Sequence, residues 1–354
     1  MSGRGELVEQ LRRTLLARRD KVLLEVVCGP KFDQPVKFTG DALLRQSERL
    51  ASQCSTKERG VVLLLLPHSS ELFLLQLGLV LDGRIPGVLA WPTSRVDAEK
   101  YQRNVVHQLR DLPVDLLVTL PRLAENLADG LPYPVMGLEV ENSLSLEKMF
   151  PAGAVSEGLE RREVAAVESR ASEDALFLQF SGGTTGAQKA IVVTAAMLAA
   201  QLERLGRALQ FTDSDCVASW LPMYHDMGLI ACYWMPLWYG ARSIQMGAND
   251  WVMNPELFLR YIDRGKATFC WLPNFAFGYL SQRRELMRDS HRLSSVRAWI
   301  NCSEPVRARS IEEFVNSFED WGVRRESVQA SYAMAETVFA ITQTQPNTAI
   351  PMRP

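Results

Sequence analysis

The sequence has few of the residues that mark several common kinds of site. It holds only four histidines in 354 residues, and its six cysteines are scattered. Because they form no Cys-x-x-Cys pair, neither a zinc site nor a disulfide framework is predicted. No long basic run occurs and the net charge is −2, which argues against nucleic acid as a partner.

Long apolar runs are also missing. No window approaches the roughly 20 apolar residues of a membrane-spanning helix. The first residues lead into a charged amphipathic helix and lack the apolar core of a signal peptide. With unpaired cysteines, this composition predicts a cytoplasmic protein without a membrane span.

Strand-like and helix-like segments alternate along the chain. The apolar run 60–66 predicts a buried parallel strand, and a helix over 71–82 and a strand over 86–90 complete a βαβ unit. Further helices are predicted over Gly228–Tyr239 and over 275–288. The pattern indicates an α/β fold with mostly parallel sheets.

The composition also predicts how the chain divides. Residues 128–172 are rich in Gly, Pro, Ser and Glu without clear periodicity, which indicates a boundary. We predict one α/β subdomain over 1–170 and a second over 171–341. The polar, Pro-rich tail 342–354 is expected to be poorly tied down.

A glycine-rich loop between two predicted strands is the most informative segment. Glycines let a backbone approach an anion closely, and successive N–H groups form an anion-binding concavity. Walker A and Rossmann loops open helices, whereas β-branched residues follow this one. A plain turn is the alternative. The candidate phosphate-binding residues are Ser181, Gly182, Gly183, Thr184, Thr185, Gly186 and Lys189.

Three further motifs follow predicted strands, where ligands bind in open α/β sheets. His225 could contact a nucleotide or a carboxylate, or it could be held by backbone for structural reasons. The turn at Ser303, Glu304 and Pro305 could present its backbone to a purine, or be an ordinary helix N-terminus.

The third motif spans 331–337. Tyr332 offers an aromatic face for stacking, and Glu336 offers a hard oxygen for Mg²⁺. Alternatively, Glu336 is a solvated or capping residue.

The order of these motifs resembles the adenylate-forming (acyl-activating, AMP-binding) enzyme superfamily. Within it, the segments 221–229, 273–276 and 304–307 most resemble fatty acyl-AMP ligases. The resemblance covers nearly the whole chain. It implies the two mostly parallel sheets, with packed helices, of the large N-terminal domain of those enzymes.

The resemblance also implies a role for each matching residue. The phosphate loop through Lys189 would hold the ATP β- and γ-phosphates, and His225 would lie beside the α-phosphate and the acyl carboxylate. Thr185 and Glu336 would help to hold Mg²⁺. The adenine pocket would comprise Ser303, Glu304, Pro305, Tyr332 and Ala333. The acyl tunnel would be bordered by Met227, Gly228, Ile230, Asn274 and Phe275.

The implied reaction is attack of a carboxylate, expected to be a fatty acid, on the α-phosphorus of ATP, with release of pyrophosphate. The acyl group would then pass to CoA or an acyl carrier protein. No small C-terminal domain with a catalytic lysine is seen in the sequence, which leaves a fragment or a split enzyme completed by a partner chain as possibilities. A non-catalytic descendant that binds acyl chain or nucleotide is the other interpretation.

Two glycines common in the family's motifs are replaced here by Ala190 and Ala333. Alanine is harmless in place of glycine only where φ is negative. The sequence therefore leaves open whether these two positions keep the backbone that the motifs need.

Overall fold

A computed structural model describes residues 3–28, 34–57, 59–92, 97–110, 112–140, 174–180 and 189–350. The chain divides into two compact units. The first comprises Met1–Val8 and Ala42–Ala196, and the second comprises Glu9–Asp41 and Met197–Pro354. Among the described residues, each unit contributes one sheet.

The strands, in chain order, are β1 (Val22–Val27), β2 (Val36–Thr39), β3 (Val61–Leu65), β4 (Ile85–Val88), β5 (Leu116–Thr119), β6 (Val135–Gly137), β7 (Ala175–Phe180), β8 (Ala190–Thr194), β9 (Cys216–Ser219), β10 (Arg242–Met246), β11 (Phe269–Leu272), β12 (Ala298–Asn301), β13 (Val328–Ala333) and β14 (Ala340–Gln343). Most are short and rich in buried apolar residues, as strands covered on both faces are.

The α-helices of the described residues are α1 (Arg4–Ala17), α2 (Gly40–Ala51), α3 (Ser70–Leu81), α4 (Ala98–Leu109), α5 (Pro121–Leu127), α6 (Ala195–Leu209), α7 (Met235–Tyr239), α8 (Ala248–Met253), α9 (Pro255–Gly265), α10 (Asn274–Arg283) and α11 (Ala308–Phe318). Helix α3 begins after Ser69, whose hydroxyl accepts a hydrogen bond from Leu72 N at 3.3 Å. Such an N-cap satisfies one of the N–H groups left open at the helix start.

The sheet of the first unit has the strand order β6-β5-β3-β4-β7-β8. Its strands are parallel except for β8, which pairs with β7 in antiparallel fashion. Because β7 and β8 belong to this sheet, the predicted boundary at 170/171 falls inside the first unit. The composition shift at 128–172 therefore does not coincide with the division that packing produces.

The sheet of the second unit has the order β14-β13-β12-β11-β9-β10-β1-β2. Its strands from β13 to β1 are parallel, and an antiparallel strand closes each edge. The mostly parallel α/β fold expected from the sequence is confirmed. The carboxyl ends of β9, β11, β12 and β13 lie together at one edge of this sheet, which we call the carboxyl edge.

Several predicted elements differ in detail. The segment predicted as a helix over Gly228–Tyr239 is a π-helix at Met227–Trp234 continued by α7. The helix predicted over 275–288 ends at Arg283. The short elements α5, β6 and α8 were not predicted, because three to seven residues give too little periodicity to recognise.

The prediction of a loosely held tail is wrong for its described part. Thr342 and Gln343 belong to β14, which pairs with β13. The Thr344 hydroxyl accepts from Ala330 N at 2.9 Å and donates to Gln329 Oε1 at 2.5 Å. Gln329 Nε2 donates to Thr348 O at 3.2 Å. The polar groups of this segment therefore form specific hydrogen bonds with residues of β13.

Candidate functional site

The predicted phosphate loop, Ser181 to Gln188, lies outside the described residues, as does its proposed metal ligand Thr185. Its two ends are described. Phe180 and Ala190 are paired across the antiparallel strands β7 and β8, so the residues at the two ends of the loop lie side by side. Lys189 is exposed immediately before β8. Lys189 and the hairpin belong to the first unit, whereas the motifs described next belong to the second.

The three remaining motifs all start at the carboxyl edge of the second unit. The His225 motif follows β9, the Ser303 turn follows β12, and the Tyr332 motif closes β13. Asn274 opens helix α10 directly after β11. Because these strands are parallel neighbours, four segments far apart in sequence converge on one edge of the sheet.

His225 lies in the turn between β9 and the π-helix. Its backbone N–H donates to Pro222 O at 3.1 Å, and its carbonyl accepts from Leu229 N at 2.8 Å. The ring packs against Tyr224 with centroids 5.2 Å apart. The side chain reaches solvent, yet the protein around it partly desolvates the ring. Desolvation lowers the pKa of His225 below 6.5, and the nearby Asp226 carboxylate opposes that shift.

Asp226 is the charged group that links two of the motifs. Its Oδ1 accepts from Met227 N at 2.7 Å at the start of the π-helix. Burial raises the pKa of Asp226, and the like charge of Glu336 raises it further. Glu336 itself is exposed. The structure therefore brings the acidic residue of the His225 motif within electrostatic reach of the predicted metal ligand.

The π-helix requires a glycine at its second position. A Cβ on Gly228 would lie 2.2 Å from Pro222 O and 3.0 Å from Leu221 O. The helix therefore packs directly on the backbone of the preceding turn. Met227 and Ile230, which we expected at the acyl tunnel, are 4% and 0% exposed, so both side chains lie in the packed interior of the second unit.

Asn274 and Phe275 open helix α10 and differ in exposure. Asn274 is buried and its Oδ1 accepts from Asn301 Nδ2 and from Arg307 N, each at 3.0 Å. The Phe275 side chain is 50% exposed. Its backbone N–H donates to Glu304 Oε2 at 2.8 Å.

The Ser303 turn has an unusual backbone. Ser303 has φ of 72°, in the left-handed region that a serine seldom adopts. Its hydroxyl lies 3.8 Å from Met227 Sδ. The turn is exposed from Ser303 to Pro305, so its backbone is available to a ligand.

The Tyr332 ring is 58% exposed, as an aromatic platform for a base must be. The register pairs Asn301 with Ala330, so Ser303 and Tyr332 each lie two residues beyond a paired position on neighbouring strands.

Ala190 and Ala333 lie in strands and neither has a positive φ. Their replacement of glycine is therefore compatible with the backbone.

The sequence prediction missed two residues of this edge. Asp226 adjoins His225 in the same motif, and its sequence position was a usable signal. Asn301 is fully buried and orients Asn274, but nothing in its local sequence distinguishes it.

Within the part of the chain that the structure describes, no group of three or more His, Cys, Asp or Glu side chains could hold a metal ion. The Asp226 and Glu336 carboxylates still fit Mg²⁺ bound mainly by nucleotide phosphates and water, because that ion commonly takes only one or two protein carboxylates. None of the helices within these described residues is long and apolar enough to cross a membrane.

The fold and its carboxyl edge agree with comparison to known proteins. The model of the family described as AMP-binding enzyme matches residues 12–353. This chain belongs to that family, and the resemblance drawn from its motifs is confirmed.

Three relatives illustrate the similarity. A medium-chain-fatty-acid–[acyl-carrier-protein] ligase, JamA, from Moorena producens is 30% identical over 172 residues, covering 48% of this chain and 29% of that protein. The long-chain-fatty-acid–AMP ligase FadD32 of Mycobacterium marinum is 31% identical over 175 residues, covering 48% of this chain and 28% of that protein.

The third is a solved structure of a fatty acyl-adenylate ligase from L. pneumophila, in complex with acyl adenylate and pyrophosphate. It matches with a TM-score of 0.77 and 24% identity over 97% of this chain. The matches span 57% of that structure and under a third of JamA and FadD32.

Proposed function

We propose that this chain carries the ATP- and acyl-binding part of an enzyme that converts a fatty acid to its acyl-adenylate with release of pyrophosphate. The observation that carries the proposal is the convergence of the His225, Ser303 and Tyr332 motifs on one carboxyl edge. The family match supports the same chemistry. The acyl group is proposed to pass to the thiol of an acyl carrier protein or of CoA.

In this proposal, each motif has a distinct task. The exposed Tyr332 ring stacks on adenine, and the turn at Ser303 presents backbone to the purine edge. Glu336, with Asp226 nearby, holds the Mg²⁺ of the nucleotide, which neutralises phosphate charge. Lys189 and the loop before it hold the β- and γ-phosphates.

The reaction needs charge neutralisation and in-line positioning more than a protein nucleophile. A carboxylate oxygen of the fatty acid attacks the α-phosphorus, and the bond to the pyrophosphate oxygen breaks. His225, whose pKa is lowered by desolvation in favour of the neutral ring, is proposed to donate a hydrogen bond to an α-phosphate oxygen. A neutral ring can donate this hydrogen bond without forming an ion pair that would immobilise the attacking carboxylate.

Calorimetric titration of the chain with ATP and Mg²⁺ tests the nucleotide site. We expect Glu336→Ala and Lys189→Ala each to weaken ATP binding about tenfold, as loss of a charged contact does. Lys100→Ala is the matched control, because Lys100 is an exposed lysine on α4. If the wild-type chain does not bind ATP, or if both variants bind it as tightly as the control, the proposed site is wrong.

Exchange of labelled pyrophosphate into ATP tests the reaction itself. We expect exchange that depends on dodecanoate and that His225→Ala reduces. Dodecanoate binding without ATP binding would instead favour the non-catalytic, acyl-binding descendant.

A further inference from the structure

Two segments with different proposed roles are joined by a reciprocal pair of hydrogen bonds. Glu304 Oε2 accepts from Phe275 N at 2.8 Å, and Asn274 Oδ1 accepts from Arg307 N at 3.0 Å. We call these four residues the 274–307 clasp. In the first bond the start of helix α10 donates and the Ser303 turn accepts. In the second bond the end of the turn donates and the start of the helix accepts.

The Asn274 half of the clasp is buried and hydrogen-bonded through both the oxygen and the nitrogen of its amide. Asn274 is 6% exposed, and its Nδ2 donates to Ser310 Oγ at 3.3 Å. Its Oδ1 also accepts from Asn301 Nδ2 at 3.0 Å. A buried amide with all of these partners holds one orientation, so this half fixes the start of α10 against the strand β12 and the helix α11.

The Glu304 half caps helix α10 from another segment. The residue before the helix is Pro273, whose side chain forms no capping hydrogen bond. The first N–H groups of a helix need acceptors from outside it, and a carboxylate is favoured there by the helix dipole. Glu304 supplies that acceptor from the turn after β12.

The turn that carries Glu304 is the one that needs support. Ser303 has φ of 72°, and a non-glycine residue persists in such a conformation only when its surroundings hold it there. Glu304 follows Ser303 directly, and Arg307 anchors the far end of the turn. Loss of the Glu304 bond would free one side of this conformation.

We infer that Glu304 is a positioning residue that couples the acyl-binding and nucleotide-binding surfaces, and not a residue that contacts adenine through its carboxylate. This inference rests on the proposed function. A fatty acid packed against Phe275 would hold the first turn of α10, and through Glu304 it would hold the Ser303 turn in place for adenine. Such coupling is reciprocal, so ATP must strengthen fatty acid binding by the same factor.

Two neutral variants of matched size isolate the hydrogen bond. Glu304→Gln keeps an oxygen that accepts from Phe275 N, whereas Glu304→Met keeps the length and loses the acceptor. Both remove the charge, so a difference between them reports the loss of the polar acceptor and not the loss of charge. Glu312→Ala on the exposed face of α11 controls for removal of an acidic side chain.

The measurement is the dissociation constant of dodecanoate with and without a saturating non-hydrolysable analogue, α,β-methylene-ATP, by calorimetry at pH 7.5. We expect the analogue to tighten dodecanoate binding in the wild-type chain, in Glu304→Gln and in Glu312→Ala. In Glu304→Met we expect that factor to fall roughly three- to tenfold, the effect of losing one helix cap. Thermal melting of each variant confirms the fold.

The outcomes separate this inference from the proposed function. If the wild-type chain binds neither ligand, the proposed function fails. If it binds both and Glu304→Met keeps the wild-type coupling factor, or the wild-type factor is one, only the coupling role of Glu304 is overturned. A loss of coupling in Glu304→Gln equal to that in Glu304→Met would also overturn it, because charge would then be responsible.

Discussion

The indole rings of Trp220 and Trp251 stack face to face, with centroids 3.9 Å apart and planes inclined by 2°. Trp220 follows β9 and Trp251 lies in α8, and both are buried. The Phe275 ring packs edge-on against each indole at 6.1 Å. The stack therefore supports the helix start that the clasp holds.

Removing one indole is expected to destabilise the second unit strongly. Trp251→Ala should lower the free energy of unfolding by about 3–5 kcal/mol, since a large buried side chain leaves a cavity. Neither indole N–H has a partner among the described residues, so Trp251→Phe loses no hydrogen bond and should cost less. Urea unfolding measures both. A loss below about 1 kcal/mol for Trp251→Ala would contradict the packing described.

Two glycine substitutions should have opposite effects. Gly228→Ala places a Cβ 2.2 Å from Pro222 O. The resulting overpacking should lower the free energy of unfolding by about 1–3 kcal/mol. Gly278→Ala in α10 meets nothing within 4 Å and should add about 0.5–1 kcal/mol, as alanine does in a helix. Thermal melting of the pair provides the measurement. Equal melting temperatures would show that the π-helix is not constrained at Gly228.

The free energy of unfolding should depend on pH through Asp250. Burial raises the pKa of Asp250 from 3.8 to about 6. Between those values the folded chain binds more protons than the unfolded chain, so this residue's contribution to the free energy of unfolding falls as pH rises through that window. The ionised carboxylate is therefore a cost above pH 6.

Asp250→Asn should remove that cost. We expect it to stabilise the protein by about 1 kcal/mol at pH 7.5, after allowance for partial solvation and for the loss of a favourable charge in the first turn of α8. Near pH 4 the two proteins should differ little. Urea unfolding at both pH values measures the difference in the free energy of unfolding. An Asp250→Asn variant that is less stable than the wild-type protein at pH 7.5 would contradict this interpretation.

The cysteines should differ sharply in reactivity. None of the six, all of which the structure describes, forms a disulfide, and Cys28 alone is half-buried while the other five are buried. Burial raises the pKa of Cys54 to about 11 and that of Cys232 to about 12, which suppresses the reactive thiolate. At pH 8 a thiol reagent should label one site rapidly, and Cys28→Ser should abolish that phase. Rapid labelling of several sites would show that the core opens readily.

Sequence patterns predicted the elements whose cause is local. The apolar run that forms β3 and the helical segment that follows it as α3 depend on neighbouring residues. The π-helix could not be foreseen, because it arises where Gly228 packs on Pro222 O. The strand β14 could not either, since its pairing with β13 depends on tertiary contact.

The site was predicted in part for the same reason. His225 was recognisable because histidine is rare here and follows a strand. Glu304 was assigned to adenine from its motif, yet its carboxylate contacts Phe275 N, a partner 29 residues away. Sequence order gives the members of a motif, while the bonds that orient them come from segments joined only by folding.

The early position of strands β1 and β2 in the sequence has a consequence for folding during synthesis on the ribosome. Glu25 on β1 and Arg242 on β10 are 217 residues apart in the chain, yet they pair at 3.3 Å. Strand β1 therefore emerges with its antiparallel partner β2 long before its parallel neighbour β10 exists, whereas the first unit is nearly contiguous and can complete its core earlier. During translation the edge of β1 that will pair with β10 waits unpaired, and an unpaired strand edge on a nascent chain is a site of aggregation that chaperones protect.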